Sequence, residues 1–256
     1  MIDLLFVMLP HSCALDWAGP AEAFRIANQT LERQGKPAAF KLRFIGPQPT
    51  TTSSVGAQVA GIKPLPAKLP SQAWVILLGS PDEHIALKSS AVRDLTHWLH
   101  RISSQLQAPR RLITVCAGAL YAAQAGLLTH AQVTTHHLEL DALRQLDPQC
   151  HVLPNRVFVA DVARSIYSSA GITTGIDLAI YLIAQTCGEA VAARVAQVMV
   201  MPLRRGLGDP EISVFLSSRA HLHPALHRVQ DAVQSAPTQD WGAERMAQVA
   251  CTSPRI

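Results

Sequence analysis

The residues with the most chemical promise lie in RLITVCAGALYAAQAGLL, residues 111–128. Leu112 to Val115 is an apolar run of the length and type of a buried strand, and the Ala-rich stretch after Cys116 has the composition of a helix. The thiol therefore stands where a strand turns into a helix. There the backbone is cramped, the side chain is lifted above the sheet, and the helix aims its first N–H groups and positive dipole end at the sulfur. A thiol so placed is expected to ionise below its free pKa of about 8.5. Ala117, Gly118 and Ala119 are the small neighbours such a turn needs. A nucleophile or sensor is one reading of Cys116. The other is an inert small hydrophobe of the core, a common fate for cysteine.

Other residues bear on the same edge. His136 ends the short run QVTTHH, and adjacent parallel strands end at one edge, where an imidazole can take the thiol proton or stabilise the thiolate. His137 points to the opposite side and is the weaker candidate. Gly79 and Ser80 end the apolar strand WVILLGS, and a backbone amide there can face an anion together with that of Ala117. Asp16, in LDWAGPAEAF, can lean over the cleft, and Glu22 falls in the first turn of a helix starting near Pro20. Acids at a helix start also suit its dipole without any ligand.

The whole chain must supply the frame for these groups. Its 256 residues suit one domain plus something smaller, and 48% hydrophobic with 16% charged residues describes a globular chain. No apolar run approaches the roughly 20 residues of a membrane span. MIDLLFVMLP has neither a basic start nor a small-residue cleavage site, so it reads as a first strand, not a signal peptide. The five cysteines (Cys13, Cys116, Cys150, Cys187, Cys251) are odd in number and form no C-x-x-C pair, which suits a reducing cytoplasm and neither a disulfide scaffold nor a zinc site. His221, His223 and His227 sit on a Pro-broken, surface-like segment and read as solvated. No metal and no cofactor is expected. A net charge of +4 is compatible with nucleic acid without demonstrating it.

Strand-like and helical runs alternate as far as Gly188: IDLLFVML, a helix through AEAFRIANQTLE, FKLRFI, WVILLGS, the helix SSAVRDLTHWLHRI capped near Ser90, the Cys116 strand and helix, AQVTTHH, LELDALRQL, a hairpin from RVFVADV and ARSIYSSAG, and the helix TTGIDLAIYLIAQTC. This alternation predicts a doubly wound, mostly parallel α/β sheet with its site at the carboxyl ends of strands. One more helix, GEAVAARVAQVMVM, precedes the Pro/Gly/Arg-rich break PLRRGLGDPE, which reads as a linker. Two helical segments follow, HPALHRVQDAVQSA and DWGAERMAQVAC, the second capped by Asp240, with Met246, Ala247 and Val249 on its apolar side.

The motifs VCAGALYAAQAGLL, VTTHH, LDWAGPAEAF, VILLGS and SSAGITTGIDLAIYLIAQTCGEAVAARVA resemble the PfpI-type, class I glutamine-amidotransferase-like superfamily, in the version fused to AraC-type transcription regulators. The resemblance runs to about Arg205. It implies a flavodoxin-like α/β fold with Cys116 at a nucleophile elbow, His136 nearby, and Asp16 at the position of the loop acid of isonitrile hydratases. The tail WGAERMAQVACTSPR resembles the first helix-turn-helix of the AraC family. Residues 243–249 would be its supporting helix, with Ser253 opening the recognition helix and Arg255 meeting DNA. The expected division is 1–205 for a ligand-sensing domain, 206–220 for a linker and 221–256 for an incomplete helix-turn-helix domain.

The sequence departs from the family at two places. It stops at Ile256, where the recognition helix has hardly begun, which reads as a truncated form without the second helix-turn-helix. Ala117 stands where PfpI-type peptidases carry His and isonitrile hydratases Thr. Two functions are weighed. One is a cytoplasmic, homodimeric transcription regulator that binds DNA and senses a small effector, amino-acid-like or nitrogenous, or a redox state, at the Cys116 cleft. The other is a cysteine-dependent hydratase or hydrolase. A peroxide sensor is a third reading of the same thiol.

Overall fold

The computed structural model describes residues 1–81, 85–201, 204–213, 217–219 and 221–254. They divide into two compact units, Met1–Glu211 and Ile212–Ile256. The first unit therefore runs six residues past the expected boundary at Arg205, and part of the expected linker belongs to it.

In the first unit a seven-stranded sheet has the order β10 (Phe158–Asp161), β11 (Ile166–Ser169), β7 (Arg111–Val115), β6 (Ala73–Leu77), β1 (Ile2–Val7), β2 (Phe40–Gly46), β5 (Lys63–Pro64). All neighbours are parallel except β10, which pairs antiparallel with β11 as the hairpin expected from sequence. Alternation along β1 shows why its run is apolar throughout. Leu4 and Phe6 enter one core with α1 (Ala14–Arg33), α5 (Thr174–Cys187) and α6 (Glu189–Val198). Leu5 and Val7 enter the other, with α2 (Ser90–Ile102), α3 (Gly118–Gln124) and Leu143 of α4 (Leu140–Leu146). A strand covered on both faces has no polar side to show. Helix α2 is capped by Ser89, whose hydroxyl accepts from the Val92 N–H at 3.2 Å.

Two elements differ from expectation in ways that move the site. Helix α1 starts at Ala14, with Pro20 inside it, not at Pro20. Proline favours a first turn, but tertiary anchors win here: Asp16 is held from two loops, and Gly19 packs so closely on Ile176 that a Cβ would lie 2.7 Å from it. The run AQVTTHH yields only β8 (Gln132–Val133), which pairs with β9 (His151–Val152) in a separate two-stranded parallel sheet. A hairpin of β3 (Thr50–Thr52) and β4 (Gln58–Ala60) completes the unit's strands among the described residues.

The Arg-rich break is not a free linker. The Arg205 guanidinium grips buried Asp177 at 2.6 and 3.0 Å and also donates to the Thr173 hydroxyl, while the Val157 N–H donates to the Asp209 carbonyl at 3.0 Å. The second unit holds α7 (Pro224–Ser235) and α8 (Ala243–Ala250). Gly242, not Asp240, is the α8 N-cap, and Cys251 ends the helix at φ +54. The Arg228 guanidinium donates to the Ala250 carbonyl at 2.7 Å, closing that helix end.

Candidate functional site

Strand β7 delivers its chain to Cys116, which has φ +57, and Ala117 is the N-cap of α3. A non-glycine residue in the left-handed region between strand and helix stores strain that the surroundings must hold. They do so tightly. The Cys116 N–H donates to the Ser169 carbonyl at 3.0 Å, and its carbonyl accepts from the Thr135 hydroxyl at 2.9 Å. Glycines make the room: a Cβ on Gly79 would lie 2.7 Å from the Cys116 Cβ, one on Gly171 only 2.2 Å from it, and one on Gly118 2.3 Å from the Leu77 carbonyl oxygen.

The carboxylate of Asp16 lies beside the thiol, wholly buried. Its Oδ2 accepts from the Gly79 N–H at 3.2 Å and its Oδ1 from the Ile172 N–H at 2.7 Å. Burial pushes its pKa up to about 6, against the lowering effect of those two amides and of a hydrogen bond from the Cys116 thiol. The thiol itself is held well above the usual cysteine range, first by a hydrogen bond with the Cys13 side chain, then by burial and by the Asp16 charge; the Ala117 N–H pulls the other way. The helix-end argument from sequence therefore loses. A single N–H at the helix start is opposed by a second thiol, a low dielectric and a neighbouring carboxylate, which together push the Cys116 thiol above its ordinary range. It is 6% exposed. A hollow of about 460 Å³ lies next to it, lined by Cys13, Leu15, Val55, Pro81 and Ile172, without Cys116 on its wall.

The fold thus gathers Cys116, Asp16, Gly79 and Ala117. Ser80 is buried behind them, its hydroxyl accepting from the Tyr121 hydroxyl at 3.3 Å. The amide of Gly79 is engaged by Asp16 and that of Ala117 by the sulfur, so the pair expected to face an anion is already taken. Glu22 does not join. Because α1 starts at Ala14, Glu22 falls beyond the first turn, on the exposed side, paired with Arg25 at 2.6 Å. His136 is brought against His137, with ring centroids 4.3 Å apart, and His137 pairs with Glu211. Ser253 lies after the end of α8 in irregular backbone, and Arg255 lies outside the described residues.

Residues that sequence reasoning left without a role complete the site. Cys13 is counted among the cysteines with nothing to tie it to Cys116 about a hundred residues on. Gly171 and Ile172 lie in SSAGITTG, where a Gly after a β-rich run was the available signal.

No family model matches this chain. The HTH-type transcriptional regulator CdhR of Pseudomonas aeruginosa is 26% identical over 216 residues, 78% of this chain and 55% of that protein. The HTH-type transcriptional regulator GbdR of the same species is 27% identical over 198 residues, 76% of this chain and 49% of that protein. Among solved structures, an AraC family transcriptional regulator from Pseudomonas putida superposes with a TM-score of 0.64 at 16% identity, over 78% of this chain and 100% of that one. In sequence the chain is similar to HTH-type transcriptional regulators, and in fold to an AraC family regulator. A THiJ/PfpI family protein from Pseudomonas syringae also gives a TM-score of 0.64, at 19% identity over 97% of this chain and 90% of that one. The first unit is thus an α/β fold of the flavodoxin-like, mostly parallel kind. The chain spans about half the length of the curated relatives it matches.

Proposed function

We propose that this chain is the sensing part of an AraC-type transcription regulator, with a small amino-acid-like or nitrogenous effector bound over the Cys116–Asp16 pair and DNA as the partner of the helical unit. The observation that carries the reading is the match of over three quarters of the chain to two HTH-type transcriptional regulators. The chemistry of the site agrees. A thiol pushed above its ordinary pKa range, with its nearest amides already engaged, is poorly equipped for nucleophilic turnover and oxyanion stabilisation. Such a site suits binding without consumption. The working form is a cytoplasmic homodimer, since two helix-turn-helix units match a two-part operator.

The test is a thermal-shift screen of residues 1–256 against amino-acid-like and nitrogenous metabolites. An effector present at about 100 times its Kd adds about 2.7 kcal/mol, a rise of roughly 5–10 °C for a chain of this size. The rise is expected to vanish in Asp16→Ala. Turnover of isonitriles, glutamine or methylglyoxal that disappears in Cys116→Ala would replace this reading with the hydratase or hydrolase one.

A further inference from the structure

His136 and His137 follow directly on Thr135, whose hydroxyl holds the Cys116 carbonyl. Glu211 is the last residue of the first unit, 74 positions away in the chain from His137. The fold brings the three together so that one ligand atom from each lies within 4.8 Å of the other two. The side chain of Glu211 is 7% exposed. Its Oε1 accepts twice from His137, from the backbone N–H at 3.1 Å and at the ring Nδ1 at 2.8 Å. Its Oε2 is buried and has no hydrogen-bond partner among the described residues. A carboxylate oxygen removed from water is normally satisfied by a donor or a cation. Here the buried oxygen belongs to the same cluster as two imidazoles.

We infer that His136, His137 and Glu211 form a binding site for a late first-row divalent metal, with Zn²⁺ as the best fit. Two nitrogens and one carboxylate oxygen are the donor set zinc takes in three-ligand sites, with the fourth position left to water or an exchangeable ligand. Magnesium and calcium, which demand oxygen shells, are excluded by the two imidazoles. Zinc bonds of about 2.0–2.1 Å place tetrahedral donors roughly 3.3–3.5 Å apart, so the cluster closes by a modest turn of the rings. The His137 side chain, 40% exposed, has room for it. Once bound, the ion ties the turn beside Cys116 to the end of the first unit, a link independent of the effector proposal above.

Metal-free protein of residues 1–256 is titrated with zinc by calorimetry, with Co²⁺ as a spectroscopic substitute. One equivalent is expected to bind at micromolar Kd or tighter, the Co²⁺ form showing the strong visible bands of tetrahedral N/O coordination, and zinc raising the melting temperature. Glu211→Gln, which keeps an acceptor for His137, is expected to weaken binding at least tenfold, and His136→Asn likewise, with circular dichroism confirming the fold of each. Three results would overturn the site: no uptake at 100 µM zinc; uptake unchanged in both variants, which leaves only a His137–Glu211 ion pair; or uptake abolished by His221→Ala/His227→Ala or by Cys116→Ala, which assigns the metal elsewhere.

Discussion

Cys116 stands under opposed influences: the Ala117 N–H favours its thiolate, while Cys13, burial and Asp16 favour the thiol. The second group prevails, and it can be dismantled one member at a time. Cys13→Ala and Asp16→Asn are each expected to lower the apparent pKa of Cys116, read as the pH midpoint of its alkylation by iodoacetamide. A wild-type midpoint below about 8.5, the free-thiol value, would contradict the balance of forces drawn here. Asp16 leaves a second signature, in stability. Its pKa is raised in the fold from 3.8 to about 6, so the folded state holds its proton more tightly than the unfolded chain. That contribution is complete below pH 4 and is lost as pH rises through 6, a change of about 3 kcal/mol for a shift of about two units. Denaturant titrations at pH 4, 5.5 and 7 should show the wild type losing stability relative to Asp16→Asn by about that amount. A pH-independent difference would place the carboxyl in a wetter setting.

At the scale of elements, the segment after α6 matters most, because an Arg-rich break became part of the first unit. The reason is one buried acid. Asp177, in the first turn of α5, is fully covered, and burial raises its pKa against the lowering effect of Arg205. A buried carboxylate left without its cation is costly, so Arg205→Ala is expected to destabilise by about 3 kcal/mol. Arg205→Lys, which cannot keep the two-nitrogen grip, should recover only part of that loss. Chemical denaturation reads both. A loss under about 1 kcal/mol for Arg205→Ala would mean that the segment is held by its backbone contacts alone.

For the whole molecule, the two units are unequal in what holds them. The first unit has a closed core on each face of its sheet. In the helical unit Ala247 and Ala250 are the buried residues among those described, and α7 buries none. Two alanines supply little of the apolar area that folding requires. Residues 1–211 expressed alone are therefore expected to unfold cooperatively, whereas a peptide of residues 212–256 should show weak helicity and no cooperative melt by circular dichroism. A stable, helical peptide would refute this. The arginines of that unit are also largely committed: Arg228 to the end of α8, Arg219 to Asp231 at 2.7 Å, and Arg245 stacked over Trp241. Phosphate contacts drawing on these side chains would have to break internal ones.

Local sequence by itself determined the alternating βα order, the twice-covered strands, the hairpin before α5 and the strand-to-helix turn at Cys116, because apolar period and small-residue runs are written in neighbouring positions. It did not determine the state of the thiol. That rests on Cys13 and Asp16, delivered by another strand and helix, and on the room that Gly79 and Gly171 leave. Tertiary structure also decided where α1 begins, kept β8 out of the central sheet, turned Glu22 outward and carried Glu211 to the two histidines. Charge, burial and hydrogen bonding act through space over a few ångströms, and a one-dimensional pattern records only the part of that space its own neighbours fill.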